Sequence, residues 1–187
     1  MFADFGLTHE QEAALEAHLD LLMRWNKSLN LTAIRNREEA IERHYWEALF
    51  LGARLPAGKL RIADVGSGAG FPGFPVAVLR PECSVTLIES HQRKAVFLKE
   101  AARKLPNVRV LAKRAEEVGE TSDWVISRAV SYADLAGLLK RLAPNAGLLS
   151  GAEAPPASLG FEWWAPIPLP WGSQRFLWTG RLVSGIS

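Results

Sequence analysis

A glycine-rich segment carries the residue types and spacing that most clearly indicate chemistry in this chain. Residues 64–73 read Asp-Val-Gly-Ser-Gly-Ala-Gly-Phe-Pro-Gly, and residues 68–73 match the pattern Gly-x-Gly-x-x-Gly. Glycines are needed where a turn uses positive φ angles and where a ligand touches the backbone. A glycine loop between a strand and a helix is where parallel α/β sheets bind nucleotide-like ligands. Because a bare match to this pattern is weak, the neighbouring acids must distinguish the possible ligands.

Two acidic residues favour S-adenosylmethionine as that ligand. Asp64 precedes the first glycine by two residues, and a carboxylate there repels a pyrophosphate but attracts the ammonium and sulfonium groups of S-adenosylmethionine. Glu89 closes the next predicted strand, where an acid can bind ribose hydroxyls. NAD(P) would use such an acid too, so Glu89 does not choose between the two. We therefore expect cofactor contacts at Asp64, Gly68 and Glu89; the alternative is a tight turn whose acids only cap helices or face solvent.

The N-terminal part of the chain is predicted to be helical. The sequence Thr-His-Glu-Gln at residues 8–11 is a capping box, which predicts a helix from Thr8 to about Leu29. Leucines at spacings of four and three give this helix one apolar stripe. A second helix is predicted from Glu38 to Leu55, because proline and glycine follow directly. A helical segment therefore precedes the part of the chain that contains the glycine loop.

From residue 58 onward, short β-prone runs alternate with helical stretches. Such alternation builds a parallel, doubly wound α/β sheet of the Rossmann-like kind. Beyond Ser150 the pattern weakens to an edge segment at 161–170 and a strand at 175–179. The predicted strands before that point are 60–65, 84–89, 108–111, 124–127 and a short one near Leu148, and the clearest predicted helices are 92–105 and 134–142.

Length and composition predict one domain over residues 1–187, with a helical segment at 1–57 and a Rossmann-like core at 58–187. The 48% hydrophobic and 22% charged residues exclude a disordered, collagen-like or coiled-coil chain. The lone Cys83 cannot form an internal disulfide, and four histidines without a Cys-x-x-Cys pair predict no metal site. The N-terminus lacks a basic signal region, and no apolar run approaches the roughly 18 residues of a membrane span. A cytoplasmic protein is expected.

Six segments along the chain match, in order, the motifs of one known family. They are Trp25-Asn26-Lys27 with Asn30-Leu31-Thr32, Arg43-His44, residues 64–73, Arg93-Lys94 with Phe97-Leu98, Arg114-Ala115-Glu116, and Ser127-Arg128-Ala129. Over about residues 7–151 the chain thus resembles the RsmG (GidB) type of 16S ribosomal RNA guanine-N7 methyltransferases. The resemblance implies a class I methyltransferase fold, S-adenosylmethionine as donor, and a guanine of 16S rRNA or of the small ribosomal subunit as acceptor. No membrane partner is expected, and the expected state is a monomer.

The resemblance also implies a set of site residues. Methylation of guanine N7 needs no general base, because N7 carries a free lone pair at neutral pH; catalysis then rests on holding N7 in line with the S–CH3 bond. The alternative for the arginines and the histidine among these residues is a structural contact that docks the helices. Carried over residue by residue, the family's cofactor site falls on Gly66, Phe71, Ala115, Glu116 and Arg128, and the candidate catalytic residues, in contact or positioning roles, are Arg128, Arg43 and His44.

The net charge of +2 conceals a strongly basic segment. Residues 91–114 contain eight basic residues and one acid, a local charge of +7, so the remainder of the chain carries −5. Basic patches neutralise phosphates without reading bases, although a basic helix face that only meets solvent is the alternative. The predicted RNA-binding residues are Lys27, Arg93, Lys94, Lys113 and Arg114.

Departures from the family's pattern leave other functions open. Glu47-Ala48 stands where the family usually has Asp-Ser, Ser150 stands where it usually has Lys, and the segment after Gly151 is shorter and rich in Trp and Pro. These departures are compatible with a methyltransferase-like RNA-binding protein that has lost catalysis. The Gly-x-Gly-x-x-Gly match is compatible, less specifically, with an NAD(P)-dependent oxidoreductase.

Overall fold

Within the part of the chain that the structure describes, eight strands form one sheet. This computed structural model describes residues 5–172 and 174–183, so the ends of the predicted domain, residues 1–4 and 184–187, lie outside it. The strands, numbered along the chain, have the order 3-2-1-4-5-8-6, and the seventh pairs with the eighth. They are β1 (Arg61–Val65), β2 (Ser84–Ile88), β3 (Val108–Leu111), β4 (Trp124–Arg128), β5 (Asn145–Ser150), β6 (Phe161–Trp163), β7 (Ile167–Pro168) and β8 (Phe176–Leu182).

The first five strands are parallel, which confirms the predicted α/β sheet. They pair in the order β3-β2-β1-β4-β5. β8 returns antiparallel to β5, and β6 and β7 both pair antiparallel with β8. Because β1 to β5 are parallel, their carboxyl ends meet at one edge, which we call the carboxyl edge. The last residues of these strands are Val65, Ile88, Leu111, Arg128 and Ser150.

Helices of very different lengths accompany the sheet. No helix in the described ranges combines the length and the apolar character that crossing a membrane would require. The helices are α1 (His9–Leu29), α2 (Arg37–Ala40), α3 (Glu47–Arg54), α4 (Gly73–Leu79), α5 (Gln92–Ala101), α6 (Tyr132–Leu135) and α7 (Leu139–Leu142).

The predicted N-terminal helices are present, with one irregular turn. Oγ1 of Thr8 accepts the N–H of Gln11, and the Gln11 side chain accepts the N–H of Thr8, so the predicted capping box is confirmed. Between α2 and α3 the chain forms a π-helical turn over Ile41–Trp46. The predicted helix Glu38–Leu55 is therefore continuous but not α-helical throughout. Such turns often occur at functional sites, and this one contains His44.

The later elements depart more from the sequence prediction. The prediction of one helix over 134–142 is wrong, because α6 and α7 are separate turns on either side of Gly137, whose φ angle is 72°. The predicted edge segment 161–170 contains the short edge strands β6 and β7. The predicted strand 175–179 is β8, which continues to Leu182.

The N-terminal helices pack onto the sheet and share its core. α1 lies against α4 and α5, and α3 lies against α4 and β5. Leu15, Leu19 and Leu22 of α1 are fully buried in one cluster with Val85 and Leu87 of β2. Burial of this apolar face stabilises the contact and fixes the polar residues of these helices relative to the carboxyl edge.

The glycine loop joins β1 to α4 at the carboxyl edge. The N–H groups of Gly66 and Ser67 donate to the carbonyl of Ile88 at 3.0 and 3.1 Å. Oδ2 of Asp64, a fully buried side chain, accepts from the N–H of Gly73 at 3.0 Å. Burial raises the pKa of the Asp64 carboxyl group to about 7, and its Oδ1 atom has no hydrogen-bond partner among the described residues. The loop is thus held by β2 on one side and by Asp64 from beneath.

Gly73→Ala is expected to destabilise the chain because α4 lies too close to the sheet for a side chain there. A Cβ atom at Gly73 would overlap Cδ2 of Leu87 and would lie 2.6 Å from Oδ2 of Asp64. Overpacking of this kind costs about 1–3 kcal/mol, which urea denaturation measures as a lower free energy of unfolding. Gly119→Ala is the control, since a Cβ atom there meets nothing within 4 Å. Equal stabilities of the two variants would contradict the close packing.

Asp64→Asn is expected to remove a pH-dependent loss of stability. With a pKa of about 7 in the fold against an ordinary value of 3.8, Asp64 keeps its proton in the fold between these pH values while the unfolded chain loses it. The free energy of unfolding of the wild type minus that of Asp64→Asn should therefore fall between about pH 4 and pH 7, by at most about 1.4 kcal/mol per pH unit. Denaturation at a series of pH values measures this difference. A difference that stays flat over this pH range would refute the assignment.

Candidate active site

A cleft at the carboxyl edge brings together several of the predicted cofactor residues. It has a volume of about 190 Å³ and lies between the ends of β1 and β2, a 3₁₀ turn at Ala115–Glu117, and α6. Its walls contain four predicted cofactor residues and two predicted RNA-binding residues. They are Gly66, Glu89, Ala115 and Glu116, and Lys113 and Arg114.

Two glycines of the loop are required by local geometry. Gly66 has a φ angle of 70°, and a Cβ atom there would lie 2.7 Å from Cγ2 of Val130. Gly68 has a φ angle of 56°, and its N–H donates to Oε2 of Glu89 at 2.8 Å. Positive φ angles favour glycine over other residues. The backbone at Gly66 therefore forms the cleft wall directly, and the backbone at Gly68 holds the acid at the end of β2.

Glu89 ties the loop to β2 and retains capacity for a ligand. Besides the bond from Gly68, its Oε1 atom accepts from the N–H of His91 at 2.7 Å. The residue is 7% exposed and lines the cleft. A carboxylate can accept about four hydrogen bonds, so two of its acceptor positions are open to hydroxyl groups. The contact with a ribose stays a prediction, and the placement of Glu89 is consistent with it.

The chemistry of the cleft suits an adenosine ligand that carries positive charge. Apolar side chains form part of the wall, against which the adenine ring of a ligand can lie. Among the charged residues of the wall, three are acidic and two are basic. A negative balance attracts ammonium and sulfonium groups and disfavours a pyrophosphate. The apolar residues are Val65, Ile88, Ala115, Val130 and Leu138, the acidic ones are Glu89, Glu116 and Asp134, and the basic ones are Lys113 and Arg114.

Two predicted cofactor residues lie beneath the glycine loop and do not line the cleft. Asp64 is fully buried and bonded to Gly73. Phe71 is buried against the ring of His44, with centroids 4.7 Å apart, and meets Tyr45 edge-on at 4.9 Å. The structure therefore places both residues where they support the loop and not where they contact a ligand in the cleft.

Arg128 lies at the end of β4, held by two side chains from the N-terminal helices. Its Nη1 atom donates to Nδ1 of His44 at 2.5 Å, and its Nε atom lies 3.4 Å from Oε2 of Glu47. Burial lowers the pKa of Arg128 to about 10, against the raising effect of Glu47, so the guanidinium group is charged at neutral pH. Arg128 lines a small cavity together with Ser150 and Val130. Val130 also lines the cleft, so the cavity and the cleft are adjacent.

His44 is electrically neutral when it accepts the hydrogen bond from Arg128. An arginine can only donate, so Nδ1 of His44 accepts and the ring proton lies on Nε2, which is 2.8 Å from Oγ1 of Thr32. Burial, followed by the charge of Arg128, lowers the pKa of His44 to about 3. The structure thus brings two of the three catalytic candidates together, and it gives His44 a positioning role and no proton to exchange near neutral pH.

A second buried histidine, which sequence reasoning did not single out, supports the loop from α1. Nδ1 of His18 lies 2.5 Å from Oη of Tyr45, and its ring meets Phe71 edge-on at 5.4 Å and stacks on Phe74 at 4.1 Å. Burial lowers the pKa of His18 to about 3. The available signal was its place on the leucine stripe of α1, where a polar residue must find a partner inside the fold.

The side chain of Arg43 forms its ion pair away from the group around Arg128, although, after burial, its charge is one of the causes that lower the pKa of Arg128 and of His44. The Arg43 side chain is exposed, and Nη1 pairs with Oε1 of Glu39 at 3.0 Å, one helical turn away. Exposed pairs at this spacing contribute little to stability. The structure gives Arg43 the helix-surface position that the sequence left open as an alternative, and its catalytic role stays a prediction.

The basic segment does not form one continuous face. Arg109 on β3 is ion-paired with Glu120 and lines a surface cavity together with Arg61 and Ser84, which begin β1 and β2. That cavity is at the amino ends of the strands, opposite the carboxyl edge. Arg109 therefore cannot share one RNA-binding surface with the basic residues around the cleft.

All five predicted RNA-binding residues lie toward the carboxyl edge. α1 starts beside the end of α4, where the Gln11 side chain donates to the carbonyl of Val78, and passes the glycine loop at His18. Its last turn is therefore on the side of the carboxyl edge. There the structure places Lys27 at the end of α1, Arg93 and Lys94 in the first turn of α5, and Lys113 and Arg114 in the cleft wall.

Comparison with known proteins identifies relatives of this chain. A family model described as rRNA small subunit methyltransferase G (GidB) matches residues 11–149. The Ribosomal RNA small subunit methyltransferase G of Halorhodospira halophila is 45% identical over 141 residues, which are 73% of this chain and 66% of that protein. The protein of the same name from Nitrosospira multiformis is 45% identical over 140 residues, 72% of this chain and 62% of that protein. The chain thus spans less than two thirds of the length of these relatives.

Solved structures are similar in fold. A SAM-dependent methyltransferase from Aquifex aeolicus matches with a TM-score of 0.58 at 16% identity, covering 78% of this chain and 93% of that one. A chain of the fibrillarin/Nop5p complex matches with a TM-score of 0.60 at 15% identity, covering 81% and 87%. These matches confirm the expected class of fold. Since the family model matches residues 11–149 and both relatives are 45% identical over about three quarters of the chain, the chain belongs to the rRNA small subunit methyltransferase G (GidB) family.

Proposed function

We propose that the chain is an S-adenosylmethionine-dependent methyltransferase that methylates N7 of a guanine in the 16S rRNA of the small ribosomal subunit. The observation that supports this most is the position of the cleft with Gly66 and Glu89 beside Arg128 and His44 at the carboxyl edge. A donor in the cleft and an acceptor next to Arg128 would meet at this edge. Family membership supports the substrate class, since the relatives are named rRNA small subunit methyltransferases.

The residues of the cleft suit S-adenosylmethionine, which supplies an electrophilic methyl group when bound. Glu89 has acceptor capacity for the ribose hydroxyls, and the bare backbone at Gly66 lets a ligand approach closely. Ala115 and Glu116 would meet the adenine edge from the turn after β3. The acidic balance of the cleft favours this cation over the pyrophosphate of NAD(P).

The chain's own contribution to catalysis is orientation. N7 of guanine has its lone pair free at neutral pH, so no residue needs to remove a proton. Arg128 is a charged donor that His44 and Glu47 hold from two sides, and such a preorganised group needs no rearrangement during the reaction. Correct placement of two reactants can lower the barrier by several kcal/mol.

The acceptor would lie across a basic surface around the carboxyl edge. Phosphates would be neutralised there by cations that are exposed or half-buried, which provide affinity without reading the base. We assign the protein to the cytoplasm, where the small subunit is made, and to a monomeric state. The residues proposed to bind RNA are Lys27, Arg93, Lys94, Lys113 and Arg114.

Methyl transfer tests the proposed function directly. Purified protein is incubated with isotope-labelled S-adenosylmethionine and either free 16S rRNA or small subunits that lack the modification, and the nucleosides are separated after digestion. Label in 7-methylguanosine is expected. Gly66→Ala should lose at least tenfold in activity, because its Cβ atom would meet Val130 at a positive φ angle, whereas Gly119→Ala should match the wild type.

Other outcomes of the same experiment identify the alternatives. Label in a different nucleoside would overturn the proposed specificity. Binding of S-adenosylhomocysteine without transfer to either acceptor would favour an RNA-binding protein that has lost catalysis. Stabilisation by NAD(P) and not by S-adenosylhomocysteine would favour an oxidoreductase.

Substitutions of His44 separate positioning from proton transfer. Asn can present a side-chain acceptor to Arg128 in place of the ring nitrogen, so His44→Asn should retain methyl transfer within about tenfold of the wild type. His44→Ala removes the acceptor and should lose about 100-fold in the rate of methyl transfer, the scale of a misplaced reactive group. Single-turnover methylation at neutral pH measures both rates. An Asn variant as inactive as the Ala variant would contradict a positioning role for the acceptor at this position.

A further inference from the structure

Arg175 is a basic residue at the carboxyl edge that lies outside the segment matched by the family model. It immediately precedes β8, whose first residue Phe176 pairs with Ser150 at the end of β5. Because β8 is antiparallel to β5, this end of β8 coincides with the carboxyl edge. The positively charged side chain of Arg175 therefore lies at the same edge of the sheet as Arg128.

Glu47 joins the two arginines. Its Oε1 and Oε2 atoms accept from Nε and Nη2 of Arg175 at 3.2 and 2.8 Å, and Oε2 lies 3.4 Å from Nε of Arg128. The Glu47 side chain is 2% exposed, that of Arg128 is 13% exposed and that of Arg175 is 28% exposed. The pairing with Arg175 is bidentate, a geometry that fixes the orientation of a guanidinium group.

The charges in this group do not balance. One buried carboxylate needs one cation as its partner, and Glu47 has two. The second arginine adds an uncompensated positive charge, and the charge of Arg175 lowers the pKa of Arg128, which burial already lowers. Nη1 of Arg175 has no hydrogen-bond partner among the described residues. An anion from outside the chain would complete the group.

We infer that Arg175 binds a backbone phosphate of the acceptor RNA next to the target guanine, with Glu47 as the positioning residue that orients it. The inference rests on the proposed function. A phosphate is favoured over the guanine itself, because arginine reads guanine through O6 and N7 together, and a donor on N7 would occupy the lone pair that accepts the methyl group. Glu47 takes one N–H each of Nε and Nη2, and the remaining N–H groups of Nη1 and Nη2 can donate to two oxygens of a phosphate.

The salt dependence of RNA binding tests this role. The affinity of the full chain for purified 16S rRNA is measured over a series of salt concentrations. Loss of one phosphate contact reduces the slope of log K against log salt by about 0.7–0.9, and loss of a charged hydrogen bond weakens binding about tenfold at low salt. Arg175→Ala should show both effects. Arg175→Gln, which can still donate to Glu47, should show the same change in slope if the alanine variant does not fold.

Two further variants separate phosphate binding from a structural role. Glu47→Gln disturbs the same ion pairs but keeps both arginines charged, so its slope should not fall below that of the wild type. Arg181→Ala removes an exposed arginine from the other end of β8, where Arg181 pairs with Asn145 at the start of β5, and its slope should match the wild type. Thermal denaturation checks that each variant is folded.

Defined results overturn the inference. If the slope of log K against log salt is the same for Arg175→Ala and the wild type, the phosphate contact is excluded. It is also excluded if Arg175→Ala and Glu47→Gln weaken RNA binding equally and neither changes this slope. A wild type whose RNA binding does not depend on salt excludes it as well. A wild type that binds RNA but transfers no methyl group refutes the proposed function alone, because the slopes still decide the role of Arg175.

Discussion

A single buried carboxylate, that of Glu47, connects three distant parts of the chain at the carboxyl edge. It accepts from Arg175 before β8 and approaches Arg128 at the end of β4, while its own backbone begins α3. A carboxylate that is 2% exposed is tolerated only when it is paired, so the N-terminal helices, the sheet and the C-terminal strand must adopt one relative arrangement. That requirement places a charged guanidinium group where an acceptor can reach it.

The glycine loop depends on the same arrangement. Its Phe71 packs between the rings of His44 and His18, which come from the π-helical turn and from α1. Asp64 and Glu89 bond to the backbone of the loop from beneath and from β2. The cofactor cleft and the group around Arg128 therefore share their supporting residues, and a disturbance of the N-terminal helices is transmitted to both.

Much of the fold was predictable from local sequence patterns. The capping box at Thr8, the parallel strands and the glycine loop all follow from spacing over a few residues. The apolar pattern over 134–142 predicts one helix, but Gly137 lies within it at a positive φ angle, and glycine is unfavourable inside a helix. In the site, the positions of Gly66 and Glu89 were predictable, because each follows directly from its place at the end of a predicted strand.

The rest of the site could not be predicted, because it depends on long-range contacts. The pairs of Arg175 and Arg128 with Glu47 join residues separated by 128 and 81 positions, and no local pattern encodes them. The separation of Arg109 from the rest of the basic segment was not predictable either, because it depends on the ion pair of Arg109 with Glu120. Glu47, which the sequence presented as a departure from the family's pattern, turned out to be the shared partner of two arginines.

The most direct measurement of the central claim is the modification state of 16S rRNA in cells with and without this chain. Mass spectrometry of nucleosides from purified 16S rRNA quantifies 7-methylguanosine. Removal of the gene is expected to lower the 7-methylguanosine content of 16S rRNA, and supplying the wild-type chain is expected to restore it. An unchanged content of 7-methylguanosine after removal would contradict the account.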